Sequence, residues 1–103
     1  SGASMAYKVK VTAHAEQDLD DIIGYIMTKL RNSQAARHVL REVEKIYAVL
    51  AETPVAYAEC AHPLLKGHRK ATFMRYLMIY RIVDDTVYVE RFFSELEDYA
   101  NKL

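Results

Sequence analysis

A two-layer α+β domain of order β-α-α-β-β-β-α, a helical hairpin packed on a small, mainly antiparallel four-stranded sheet, is predicted by three observations. Near the N-terminus the apolar period changes from two to 3.6. Two long apolar stripes at helical spacing then follow each other across a short polar break, which implies an antiparallel helical hairpin. In the last third, two β-branched and aromatic runs flank only Asp84 and Asp85, the signal of a tight antiparallel turn. A hairpin of helices with apolar stripes must cover one face of the sheet, and the second face is expected to be left for a partner or substrate.

The elements take their places in chain order. Residues 7–12 alternate, with Tyr7, Val9 and Val11 on one face and Lys8 and Lys10 on the other, as in a half-buried strand. Thr12 stands where a helix cap is needed. Ala15, Leu19, Ile22, Ile23, Ile26, Met27 and Leu30 form the first helical stripe, while Glu16, Asp18, Asp20 and Asp21 crowd its early turns. Anions are favoured there by the helix dipole, so the cluster reads as a helix start rather than a metal site. Arg31 and Asn32 break the pattern, Ser33 is placed to cap a second helix, and Ala36, Val39, Leu40, Val43, Ile46, Tyr47 and Leu50 form its stripe. Residues 53–67 contain both prolines and the last glycine and read as an irregular loop. Three strands and a terminal helix complete the chain over residues 70–103.

With 103 residues there is room for one domain and one two-layer core. The first four residues, Ser-Gly-Ala-Ser, read as a scar left by cleavage of an expression tag ahead of Met5, so residues 5–103 are taken as the domain. The single cysteine, Cys60, cannot close an internal disulfide, and no apolar run approaches the roughly 20 residues that span a bilayer. The expected compartment is the cytoplasm, with no membrane partner.

A formal net charge of zero argues against strong non-specific attraction to nucleic acid, but it conceals local segregation. Residues 62–75 carry Lys66, Arg69, Lys70 and Arg75 with His62 and His68 and no acid; residues 84–98 carry six acids against Arg91 alone. The basic stretch is either a solvated edge or a site for phosphate or an acidic partner. Cys60, Glu59 and His62 leave any nucleophile or metal site incomplete, and no phosphate-binding or dinucleotide fingerprint is present. Neither a metal nor a cofactor is expected.

In this order of elements, the first-helix pattern TAHAEQDLDDIIGYI, the GHRK lead-in and the hairpin YLMIYRIVDDTVYVERFF, the chain resembles the RelE/ParE superfamily, the toxins of bacterial type II toxin–antitoxin modules. The resemblance runs from Tyr7 onward. It implies a growth-arresting toxin of a plasmid-stabilisation type of module, neutralised by a cognate antitoxin, with either DNA gyrase (ParE-like) or ribosome-bound messenger RNA (RelE-like) as target. A third reading is a detoxified member that only binds an antitoxin.

A metal-independent ribonuclease needs a base or orienting group for the 2′-hydroxyl, cations for the phosphorane charge and a donor for the leaving oxygen. The residues available for such catalysis are His68, Arg75, Arg91 and Tyr99, and those available to bind a target or phosphate are Lys66, Arg69, Lys70, Arg75 and Arg91. For each a structural role competes: a solvated loop position without a partner acid for His68, an ion pair with Glu90, Glu95 or Asp98 for Arg81 and Arg91, and packing for Tyr99. Where RelE-like ribonucleases carry arginines, at the residue after the aromatic that opens the third strand and in the segment after the last strand, this chain has Leu77 and Glu97. These departures favour action by binding, or a detoxified member, over RNA cleavage, while the basic stretch over residues 66–75 keeps cleavage open.

Overall fold

A computed structural model of the protein describes residues 6–95. The elements are β1 (Lys8–Val11), α1 (Ala13–Thr28), α2 (Ser33–Glu52), β2 (His68–Phe73), β3 (Tyr76–Val83) and β4 (Thr86–Ser94). The sheet order is β1-β4-β3-β2, with β1 parallel to β4 and the two hairpins antiparallel. The order expected from the sequence therefore holds through β4; the helix expected after it, and with it Glu97, Asp98 and Tyr99, lies outside the described residues. Among the described residues, no helix is long and apolar enough to cross a membrane.

Each turn follows from local chemistry. Thr12 caps α1 by accepting the Ala15 N–H at 3.1 Å. Asn32, rather than Ser33, caps α2, accepting the Ala35 N–H at 3.0 Å, so Ser33 is the first helical residue. Asn and Ser cap about equally well, and the left-handed Arg31 (φ 50°) brings Asn32 to the capping position. Asp84, at φ 54°, allows the two-residue β3–β4 turn, because Asp tolerates the left-handed region better than most residues.

The helices cover one face of the sheet. Val39, Val43, Ile46 and Leu50 of α2 and Ala15 and Ile26 of α1 bury against Ala71, Phe73, Met78, Tyr80, Val87, Val89 and Phe92. The Tyr80 hydroxyl donates to the Pro54 carbonyl at 2.6 Å and its ring meets Tyr57 edge to face, which fastens the segment after α2 to the core. Leu30 and Leu40, assigned to the buried stripes from their spacing, are 56% and 42% exposed. α1 ends at Thr28, two residues before Leu30, so the stripe outruns the helix.

The loop over residues 53–67 is more ordered than its composition suggests. It contains short 3-10 turns at Pro54–Ala56 and Pro63–Leu65, and Glu59 bridges Arg69 on the free edge of β2. Its return folds Leu65 and Cys60 onto Leu77, Ile79 and Phe93, on the sheet face opposite the helices. That face, expected to be open, carries a second apolar cluster over part of its area.

Candidate functional site

Strand alternation places His68, Lys70 and Thr72 of β2 beside Arg81, Ile79 and Leu77 of β3 on the face away from the helices. A bulge completes this surface. Tyr80 pairs with Val89 but Ile79 pairs with Arg91, so Glu90 is the extra residue in β4. Glu90 consequently shares the face with Arg91 and reaches Arg81 on the neighbouring β3 (Nε to Oε2, 2.5 Å) and His68 on β2, one strand further (Nε2 to Oε1, 2.8 Å). Partial burial of Glu90 works against its ionisation, but hydrogen bonds from His68 and Arg81 outweigh it and lower its pKa. The Arg81 guanidinium also lies 5.4 Å over the Tyr88 ring.

His68 is thus a partnered strand residue, not a solvated loop histidine without an acid. Its Nε2 is committed to Glu90 and its Nδ1 is buried without a hydrogen bond. Neither nitrogen is presented to an incoming substrate, although a proton-transfer group must reach the proton it moves.

Arg91 is held as well, by a partner from the other end of the chain. Asp18 of α1 receives Arg91 Nε at 2.7 Å and Nη2 at 3.3 Å, and also accepts the Phe92 N–H at 3.0 Å. Beyond Val89, β4 runs past the end of its pairing with β1, and α1 seals that edge: Asp18 takes the Phe92 N–H, and the Thr12 hydroxyl donates to the Glu90 carbonyl at 3.2 Å. The Arg91 guanidinium stacks 4.6 Å from the centre of the Phe93 ring. The acidic start of α1 therefore does more than answer the helix dipole.

The remaining basic residues do not converge. Arg69 points to the helix side, donating to the Tyr57 carbonyl at 2.8 Å. Lys66 is exposed in the loop before β2, and Arg75 is exposed in the β2–β3 turn, about 20 Å along the strand from His68. Burial raises the Cys60 thiol pKa while nearby Lys70 opposes the shift, so the thiol is not activated. Among the described residues no group of three His, Cys, Asp or Glu is placed to hold a metal ion.

Leu77 is the most informative of the expected positions. It is 4% exposed and packed with Leu65, Ile79 and Phe93, so the position where the resemblance to RelE-like ribonucleases leads one to expect a cation is part of an apolar cluster. A groove of about 670 Å³ lies beside these strands, between α1 and the β2–β3 turn, with Asp18, Ile22, Tyr25, Leu30, Arg75, Tyr76 and Arg91 among its walls. Tyr25 and Leu30 are more than half exposed there.

The sequence profile of a family described as the ParE toxin of the type II toxin–antitoxin system, parDE, matches residues 9–99. A search of curated protein sequences finds no match. Among solved structures, the chain is similar to one from a chromosomal ParDE toxin–antitoxin system of P. aeruginosa (TM-score 0.72, 18% identity, 87% of this chain and 97% of that one). It is also similar to a chain of the RelBE2 toxin–antitoxin complex of Mycobacterium tuberculosis (TM-score 0.62, 24% identity, 86% and 98% covered). A conserved hypothetical protein of Helicobacter pylori gives a TM-score of 0.56 at 18% identity over 88% of this chain and 97% of that one. At these identities the structural likeness is one of fold.

Proposed function

The chain belongs to the ParE toxin family of type II toxin–antitoxin systems, and we propose that it arrests growth by binding a macromolecular target, DNA gyrase first, without cleaving RNA. The observation that carries this reading is Leu77 in the second apolar cluster, where a phosphate-stabilising cation would have to stand for the ribonuclease chemistry. The pairing of the cations around it supports the same reading: Arg81 is engaged by Glu90, and Arg91 by Asp18. A guanidinium already neutralised by a carboxylate has to lose that partner before it can serve a phosphorane.

The antitoxin is a small, partly disordered acidic protein in this reading, and the groove beside α1 is where an amphipathic segment of it docks. Ile22, Tyr25 and Leu30 offer an apolar floor, and Arg75 at the rim meets an acid of the partner. The compartment is the cytoplasm, where gyrase and ribosomes are.

Induction of the chain in a bacterial host, with an SOS reporter and primer extension on cellular transcripts, tests the proposal. Arrest with an SOS response and uncut transcripts is the expected result. A ribonuclease is the second reading, favoured by His68, Lys70 and Glu90 sharing one face; codon-phased cuts that disappear in His68→Ala would establish it. Normal growth would identify a member that only binds its antitoxin. Co-expression of the neighbouring gene product is expected to restore growth and to co-purify.

A further inference from the structure

From Ile22 to Arg41 the chain contains no acidic residue but carries Lys29, Arg31, Arg37 and Arg41, with His38 among them. Antiparallel packing of α1 and α2 gathers this run at one end of the molecule, the tip of the helical hairpin, where all five side chains are exposed. The groove wall that joins Leu30 to Arg75 shows that the β2–β3 turn lies at the same end, which adds a further exposed arginine.

Among the described residues, none of Arg31, Arg37, Arg41 and Arg75 donates a side-chain hydrogen bond or forms an ion pair within 4.0 Å. The nearest acid along α2, Glu42, is shared by Lys45 at 3.0 Å and His38 at 3.7 Å. Arg37, His38 and Arg41 line a concave surface of about 490 Å³ with Asn32, Gln34 and Ala35. Ala35 is its one apolar wall, so the hollow has no anchor for an amphipathic protein segment, and its charged walls are donors only.

We propose that the hairpin tip is a binding surface for the phosphodiester backbone of a nucleic acid, with Arg31, Arg37 and Arg41 as its phosphate contacts. Arginine suits this role because its planar fork meets two phosphate oxygens at once, and although Arg41 feels the charge of the adjacent Glu42, none of the three guanidinium groups has, among the described residues, a hydrogen bond or close ion pair to break first. Because the chain as a whole is neutral, attraction to a polyanion must come from such a local patch. Arg31, Arg37 and Arg41 belong neither to the Leu77 cluster nor to the walls of the groove, which adjoins them through Leu30, and the proposal stands whichever target causes growth arrest.

Fluorescence anisotropy of the full chain with a labelled DNA duplex, and in parallel with single-stranded RNA of the same sequence, tests the proposal between about 50 and 200 mM salt. Binding to one or both probes should weaken with salt, and the tighter probe identifies the source of the backbone. Arg37→Ala with Arg41→Ala should weaken binding about tenfold or more and flatten the log–log salt slope by about two. Lys8→Ala with Lys10→Ala, which removes equal charge from the exposed face of β1, should change affinity less than about twofold, and Arg37→Lys with Arg41→Lys should keep most of the salt slope, because point charges still release counterions. The proposal is overturned if neither probe binds at low salt, or if the β1 pair matters as much as the α2 pair. It is equally overturned if poly-glutamate binds the wild type as tightly as the nucleic acids do.

Discussion

The arginines of the sheet and those of the helical hairpin are chemically alike and differ in company. On the sheet, Arg69, Arg81 and Arg91 each reach an acceptor: the Tyr57 carbonyl, Glu90 and Asp18. On the hairpin, Arg31 and Arg37 stand without such a partner among the described residues. A guanidinium engaged by carboxylate or carbonyl oxygens contributes to the fold, whereas an unengaged, exposed one is available to a ligand. A count of basic residues would put both sets in one class; their hydrogen bonds separate them.

The sharpest way to break this division is to put a cation where the fold has used an apolar residue. Leu77→Arg places a charge among Leu65, Ile79 and Phe93, and should destabilise the domain by about 3 kcal/mol or more, read by urea denaturation. It should not bring RNA cleavage with it. A variant as stable as the wild type would show that the second cluster does little for the fold.

Asp18→Ala comes next. It removes the acceptor for Arg91 and for the Phe92 N–H, leaving a largely buried charge and a backbone donor unpaired, at a cost of about 2 to 3 kcal/mol. A thermal midpoint unchanged within error would remove Arg91 from the structural class and return it to the available one. For the same reason, alanine at Arg69 or Arg91 confuses lost stability with lost binding, and Lys70 and Arg75 are the better probes of target contact.

Glu90→Gln should cost less, about 1 kcal/mol at neutral pH, because the pair is partly solvated. It also carries a pH signature. The folded-state pKa of Glu90 is lowered from its ordinary 4.5, so its contribution is present above that value and is lost as pH falls through the lower folded value. In a pH series of unfolding curves, the wild type should lose its advantage over the glutamine variant as the solution is acidified below about 4.5. A constant difference across that range would place the effect elsewhere.

The smallest stability effect belongs to the hairpin. Arg37→Ala with Arg41→Ala should shift unfolding by no more than about 0.5 kcal/mol, since among the described residues neither side chain makes an ion pair within 4.0 Å or a hydrogen bond to the fold. A larger loss would mean that these arginines belong with the sheet set.

What could be read from the sequence follows the same line between local and long-range physics. The strand Tyr76–Val83, the Asp84–Asp85 turn and the cap at Thr12 depend on neighbours in the chain and were legible from residue type and spacing. Asp18 and Arg91 stand 73 residues apart, and no period connects them, so Arg91 is assigned an acid near it in sequence instead. The bulge at Glu90 has no glycine or proline to announce it, and it is the bulge that brings Arg91, the next residue, onto the same face as Glu90. Leu65 sits in a proline-rich loop whose composition gives no hint that it closes over Leu77. The acid-free run from Ile22 to Arg41 was legible in principle as charge pattern alone, but its concentration at one end depends on the hairpin.

Arrest by binding without RNA cleavage is tested by incubating the purified chain with programmed ribosomes carrying messenger RNA in the A site and mapping 5′ ends. Messenger RNA that stays intact at toxin concentrations sufficient to arrest growth agrees with a buried Leu77 and acid-paired arginines. Rapid cleavage at the A-site codon would contradict it.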